Sequence, residues 1–435
     1  MDVARLRQHF ACLRDGDWAF LESAGGSRAP DCVGDAVAAY VRNSFVQLGA
    51  GYEASSAADA IVARARRVAA SHFTSSTETG FPVLGGCTSQ LLAMLAGTFT
   101  PLLTAGDVLV VSSAGHESNV GPWVRLAART GARVAWWHPS ADGEDTCPVA
   151  SLKALLGAAG GRVRLVAFPL VSNLLGGVAD VAAIAALARV AGAVSVCDAV
   201  AFAPHRPIEA CEWGCDFVAL SFYKTYGPHL AALWGSTQAW ATVAAGDALP
   251  NHFFITQTGH AGTPYYPFEL GGVCHESAAA LVGLLPYLAA LGGTDGSDDH
   301  ATVRAAFAAL PALEAPVCEA LRLLLEGEHA KGTIRLLGPR GDATAALRVP
   351  TFSFLPLRPG LTPGAVVAAC HAARIACRCG HMYAPRLLHQ LGVPCDVPAP
   401  GQAQALGEGV VRVSAVHYNT VEEVLSLQTA LRGVL

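Results

Sequence analysis

From about residue 50 onward, the chain alternates between short, unbroken apolar runs and longer stretches in which apolar residues recur at helical spacing. The runs at 80–85, 107–112, 133–137, 164–168, 193–198, 217–221 and 230–235 predict strands. Between them, helices are predicted over 57–73, 91–98 and 181–191, with another starting near Gly121-Pro122-Trp123. Strands alternating with helices in this way predict an α/β fold around a mostly parallel sheet, with ligands at the carboxyl ends of the strands. Met1 to Phe10 reads as an amphipathic helix rather than the unbroken apolar core of a signal peptide.

The pattern changes after a helix over 284–291. A loop rich in glycine and aspartate, Gly292 to His300, leads into strand candidates at 333–337, 351–354 and 410–416, with helices between. The expected organisation is an N-terminal helical segment (1–20), a large domain (21–290) and a smaller α+β domain (291–435). The proline-rich stretch Pro394 to Pro400 predicts an ordered loop or a mobile flap. There is no internal repeat.

Composition narrows the class. Of 435 residues, 52% are hydrophobic and 14% charged, the balance of a compact enzyme with much buried surface. A net charge of −5 gives no reason to expect nucleic acid or an anionic membrane as partner. No apolar run approaches the roughly twenty residues that span a bilayer. Thirteen cysteines, with no C-x-x-C pair and no zinc-like spacing, predict a reducing, cytoplasmic setting and no metal.

The chemistry is carried by two strand ends. One apolar run ends in Asp198; the next ends in Ser221-Phe-Tyr-Lys224 before the turn Gly227-Pro228. A lysine so placed can form a Schiff base with pyridoxal phosphate, while the aspartate keeps the pyridine nitrogen protonated. The turn Gly85-Gly-Cys-Thr88-Ser89-Gln90 offers N–H groups and hydroxyls at a helix N-terminus, an anion site suited to the phosphate.

On these residues the chain resembles fold-type I pyridoxal-phosphate enzymes of the class V aminotransferase, cysteine desulfurase-like group. The motifs span Phe20-Leu-Glu-Ser-Ala-Gly-Gly26 to Tyr418-Asn-Thr420. The resemblance implies phosphate contacts from Thr88, Ser89, Ser221 and Tyr223. It also implies His116 stacked on the ring and relaying protons, Asn173 on the phenolic oxygen, and Lys224 as the base at Cα. Arg412 would clamp the substrate carboxylate, with Arg378 and Tyr383 beside it, and Phe268 to Glu276 would reach into the second subunit of a homodimer.

Two departures stand out. Desulfurases with an Arg-x-Gly-His-His-Cys pattern carry their persulfide-forming cysteine five residues after the arginine, where this chain has Tyr383. Ala201 replaces the glutamine or histidine many carry three residues after the aspartate. Trp136-Trp137, Pro204-His-Arg-Pro207 and Ala384-Pro-Arg386 resemble the ustiloxin-pathway branch, which decarboxylates aspartate at Cβ through a quinonoid and adds the enamine to an aldehyde. The expectation is therefore a lyase-type enzyme acting on a small L-α-amino acid. The alternatives are desulfuration through Cys379 or another thiol, transamination or epimerisation, and a non-catalytic cofactor-binding protein.

Overall fold

The computed structural model describes residues 2–73, 79–252, 255–256, 263–341, 347–395 and 409–435. Most of the stretch Pro394 to Pro400 lies outside them.

Seven strands form the large sheet, in the spatial order Gly80–Gly85, Ala231–Ser236, Phe217–Ser221, Val194–Asp198, Arg162–Pro169, Asp107–Ser112, Arg133–Trp137. Only Ala231–Ser236 runs against the rest. The apolar runs are unbroken because both faces are covered. Val108 and Val110 enter one core, whereas Leu109 and Val111 enter the other.

A second sheet is antiparallel, in the order Arg378–Gly380, Val410–Ser414, Thr351–Pro356, Ile334–Leu337. The two sheets are joined by the helix Asp299–Ala330, whose start is capped by Asp298. Val303, Ala306, Phe307 and Leu310 on its first half pack in the large core; Val317, Leu321 and Leu325 on its second half pack in the small one. The helix continues through Pro311 and Pro316.

The start of the chain departs from the single helix expected over Met1 to Phe10. Two short helices form, Val3–Arg7 and Ala11–Arg14, because Phe10 between them is extended and buries its ring against Tyr287 and Tyr418. The strand Ala19–Phe20 then pairs in parallel with Ile375–Ala376, and Leu21 lies in the small-sheet core. No helix among the described residues is long and apolar enough to cross a membrane.

Candidate active site

The carboxyl ends of the central strands converge on one cavity. Its walls include Thr88, Ser89, His116, Asn173, Asp198, Ser221, Tyr223 and Lys224, so eight residues expected from separate motifs meet in one place. A second hollow opens from it and adds Arg378, Tyr383 and Arg412 to His116, Asn173 and Lys224.

One end of the cavity is built for an anion. The helix Thr88–Thr98 begins there with no side-chain cap on its first N–H groups and no acidic residue in its first turn. Those N–H groups carry partial positive charge that an anion neutralises. Thr88 lends less than its hydroxyl promises, since its Oγ1 donates to Leu220 O at 2.9 Å. Ser89 Oγ lies 2.6 Å from Ser118 Oγ, and Ser118 Oγ lies 2.8 Å from His116 Nδ1. The Ser118 N–H also donates to His116 Nδ1, at 3.1 Å, which leaves that nitrogen the unprotonated one. Burial, with Lys224 and Arg412 nearby, pushes His116 down to about 4, so the ring is neutral at neutral pH.

Asp198 ends its strand buried, and one carboxylate oxygen accepts from Val200 N at 3.0 Å. Burial raises its pKa, opposed by that bond and by Lys224. A carboxylate so isolated favours a cationic partner such as a protonated ring nitrogen. Asn173 donates through Nδ2 to Met382 O at 2.8 Å, and its buried Oδ1 has no partner among the described residues. The uncapped helix start, the isolated Asp198 and the orphaned amide oxygen fit the cofactor that the motif implies.

Lys224 Nζ donates to Ala24 O at 2.8 Å. Burial, and then the charge on Arg412, lowers its pKa to about 8. Tyr223 does not have its hydroxyl free, because it donates to Gly25 O; its ring stacks on His229, with centroids 5.0 Å apart.

Arg412 projects from within the small sheet with its side chain only 3% exposed, and Nη1 donates to Asn173 O at 3.0 Å. Directly opposite it in the strand register is Arg378. Among the described residues the two guanidinium groups share one acid, Glu22, whose Oε1 is 3.5 Å from Arg378 Nη1 and 3.6 Å from Arg412 Nη2. Tyr383 stands at the mouth, its ring 5.3 Å from that of His116, and Glu117 N donates to Tyr383 O at 2.8 Å. Met382 and Tyr383 both have left-handed backbone, φ 47° and 59°, which non-glycine residues rarely adopt.

His205, within Pro204-His-Arg-Pro207, is buried outside the cavity, with Nδ1 within 3.0 Å of both Glu314 oxygens. Cys379 packs partly buried against the small-sheet core. Sequence reasoning missed Ser118 and Glu22. Ser118, two residues after His116, has the spacing of a local side-chain turn, a signal that could have found it; Glu22 has no local signal.

Comparison with known proteins gives the family and the fold. The family model described as Aminotransferase class-V matches residues 19–322. The chain is similar to the aminotransferase-like protein FGM3 of Gibberella zeae, at 33% identity over all of this chain and 98% of the relative. It is 27% identical to the cysteine desulfurase-like protein ustD of Aspergillus flavus, over 100% and 91% of the two chains. Among solved structures, a cysteine desulfurase from Thermococcus onnurineus shares the fold with a TM-score of 0.78, at 21% identity over 99% of this chain and 97% of that one.

Proposed function

The chain belongs to the class V aminotransferase family, an enzyme family that uses pyridoxal 5′-phosphate, and from that premise we propose that it removes a group from Cβ of a small L-α-amino acid. The substrate we favour is L-aspartate: its Cβ carboxylate leaves as carbon dioxide, and the electron pair left at Cβ bonds to an aldehyde carbon as the C=O π pair moves onto oxygen, which takes up a proton.

One observation carries this reading. Arg378 and Arg412 face each other in register at the hollow that Lys224 also lines. Like charges directly opposite on neighbouring strands are unfavourable, so the pair suits a ligand with two carboxylates. The position where similar desulfurases carry their thiol is Tyr383 here, and a phenol does not accept sulfur as a thiolate does.

The bound cofactor supplies an electron sink at Cα. The chain's own groups do the rest. Arg412 fixes the α-carboxylate and so the torsion about Cα. Lys224, depressed to about 8, holds or releases a proton at Cα near neutral pH. His116, neutral and fixed by Ser118, covers the cavity without adding positive charge. Arg378, 47% exposed, meets the second carboxylate from the solvent side.

We also infer a cytoplasmic homodimer. Thirteen cysteines with no C-x-x-C pair suit a reducing compartment. Leu270, 60% exposed beside Gly271 and Gly272 with open space around them, suits a subunit contact.

The test is to incubate holoenzyme with L-aspartate or L-cysteine, with Lys224→Ala as background. Carbon dioxide and alanine from aspartate are expected, absent in the variant. Sulfide from cysteine, with no carbon dioxide from aspartate, would overturn the reading; full turnover by Lys224→Ala would sink the site assignment.

A further inference from the structure

The segment Leu21 to Arg28 crosses the mouth of the active site as a strap. Ala24 N donates to Ser414 Oγ at 2.8 Å, Ser27 N to Tyr223 O at 3.2 Å, and Arg28 N to Tyr418 Oη at 2.9 Å. Within it, Glu22 folds back over Gly25. A Cβ on Gly25 would lie 2.2 Å from Glu22 Oε1, so only glycine lets the carboxylate occupy this place.

The contact that Glu22 makes is loose. Its Oε1 sits between the two arginines at 3.5 and 3.6 Å, beyond good hydrogen-bond length to either. That oxygen is buried without a hydrogen-bond partner among the described residues, and so is Arg412 Nε. A bidentate carboxylate on an arginine makes bonds of about 2.7–2.9 Å, so the arrangement leaves donors and acceptor unsatisfied. The Glu22 side chain is 34% exposed, which gives it a route to solvent.

Charge decides what can replace it. Two guanidinium groups and one carboxylate leave a net charge of about +1. A ligand with one carboxylate can take Arg412 while Glu22 stays on Arg378, and the cluster is then neutral. A ligand with two carboxylates neutralises the cluster only if Glu22 leaves.

Resting on the dicarboxylate reading above, we propose that Glu22 marks the subsite of the second carboxylate. It is the internal counter-ion of Arg378, and a dicarboxylic substrate exchanges for it while a monocarboxylate does not. Glu22 is thus a specificity-determining residue, acting by competition for Arg378 rather than by contact with the reacting atoms.

The experiment measures binding of two unreactive probes, succinate and propionate, to holoenzyme through the cofactor's visible absorbance. It uses wild type, Glu22→Gln and Arg378→Gln, with Glu22→Asp as a second charged variant. Succinate must displace Glu22 from Arg378 whereas propionate on Arg412 need not, and loss of that competing charge about 4 Å away shifts succinate affinity roughly tenfold at an effective dielectric of about 60. Glu22→Gln should therefore tighten succinate about tenfold and leave propionate within about twofold, while Arg378→Gln weakens succinate alone. In steady state, Glu22→Gln should lower KM for the dicarboxylic substrate and leave kcat nearly unchanged.

Equal tightening of both probes would overturn the proposal, since Glu22 would then simply block Arg412; so would no change for either. If wild type prefers propionate and Arg378→Gln changes neither probe, the dicarboxylate reading itself fails. The succinate-to-propionate ratio in Glu22→Gln still reports separately on the exchange.

Discussion

Replacing Arg412 by methionine separates what this residue does for the fold from what it does for substrate. The side chain is 3% exposed, sits within an apolar strand and faces Arg378 across the register. Burial already pulls its pKa down to about 10, a sign that its charge is poorly compensated. Methionine of similar length would remove the desolvation and the repulsion, changes that in other buried charges are neutral or stabilising by about 1–4 kcal/mol. Against this stands the lost bond to Asn173 O at 3.0 Å, a hydrogen bond from a charged donor worth roughly 1.5–3 kcal/mol. The two nearly cancel, so apo-protein stability should stay within about 1 kcal/mol of wild type. Function should not be spared. Losing one partner of a buried carboxylate pair costs about 2–5 kcal/mol, or roughly thirty- to several-thousand-fold in kcat/KM. The assays are urea unfolding of apo-protein and steady-state kinetics of holoenzyme. A variant that loses several kcal/mol of stability but keeps kcat/KM within threefold would refute the argument and make Arg412 a structural residue.

Two further outcomes are expected. Only the neutral amine of Lys224 can capture the cofactor aldehyde; with its pKa lowered to about 8, the neutral fraction is roughly one-eleventh at pH 7 and one-half at pH 8. Capture by apo-protein, followed by absorbance, should therefore quicken about fivefold between those values and level off above pH 9; a rate that is flat from pH 6.5 to 9 would contradict the lowered pKa. Gly176→Ala adds a Cβ at φ +76°, 2.4 Å from Thr351 O and 2.9 Å from Val349 O. It should cost roughly 2–4 kcal/mol in urea unfolding, since both obstacles are backbone and the conformation is left-handed.

The large sheet was legible because its strands are buried on both faces, and unbroken apolar runs from Asp107 to Ser236 mark such strands directly. The residues at those strand ends were legible for the same reason: Asp198 and Lys224 are polar interruptions where a buried run stops. Arg412 stood out as a charge inside an apolar strand. What escaped depends on partners distant in the chain. Nothing near Glu22 reveals that Arg378 and Arg412 flank it, since 356 and 390 positions separate them from it. The helix Asp299–Ala330 was obscured by Pro311 and Pro316, which locally argue for an end; packing against two cores holds it through both. The occupied hydroxyl of Tyr223 was invisible for a similar reason, since its acceptor Gly25 precedes it by 198 residues.

The pairing of Ala19–Phe20 with Ile375–Ala376 has a consequence for how the protein is made. Ribosomes deliver a chain in the N-to-C direction, so the strap emerges long before its partners, Ile375, Arg378, Arg412 and Ser414. Loop closure over such a span is slow and must await synthesis of those distant partners. Until then, Lys224 lacks the carbonyl that holds its amine, and the arginines are not yet opposed. A nascent or truncated chain consequently has no finished pocket for a reactive aldehyde, and biosynthesis itself delays assembly of the active site until both lobes are present.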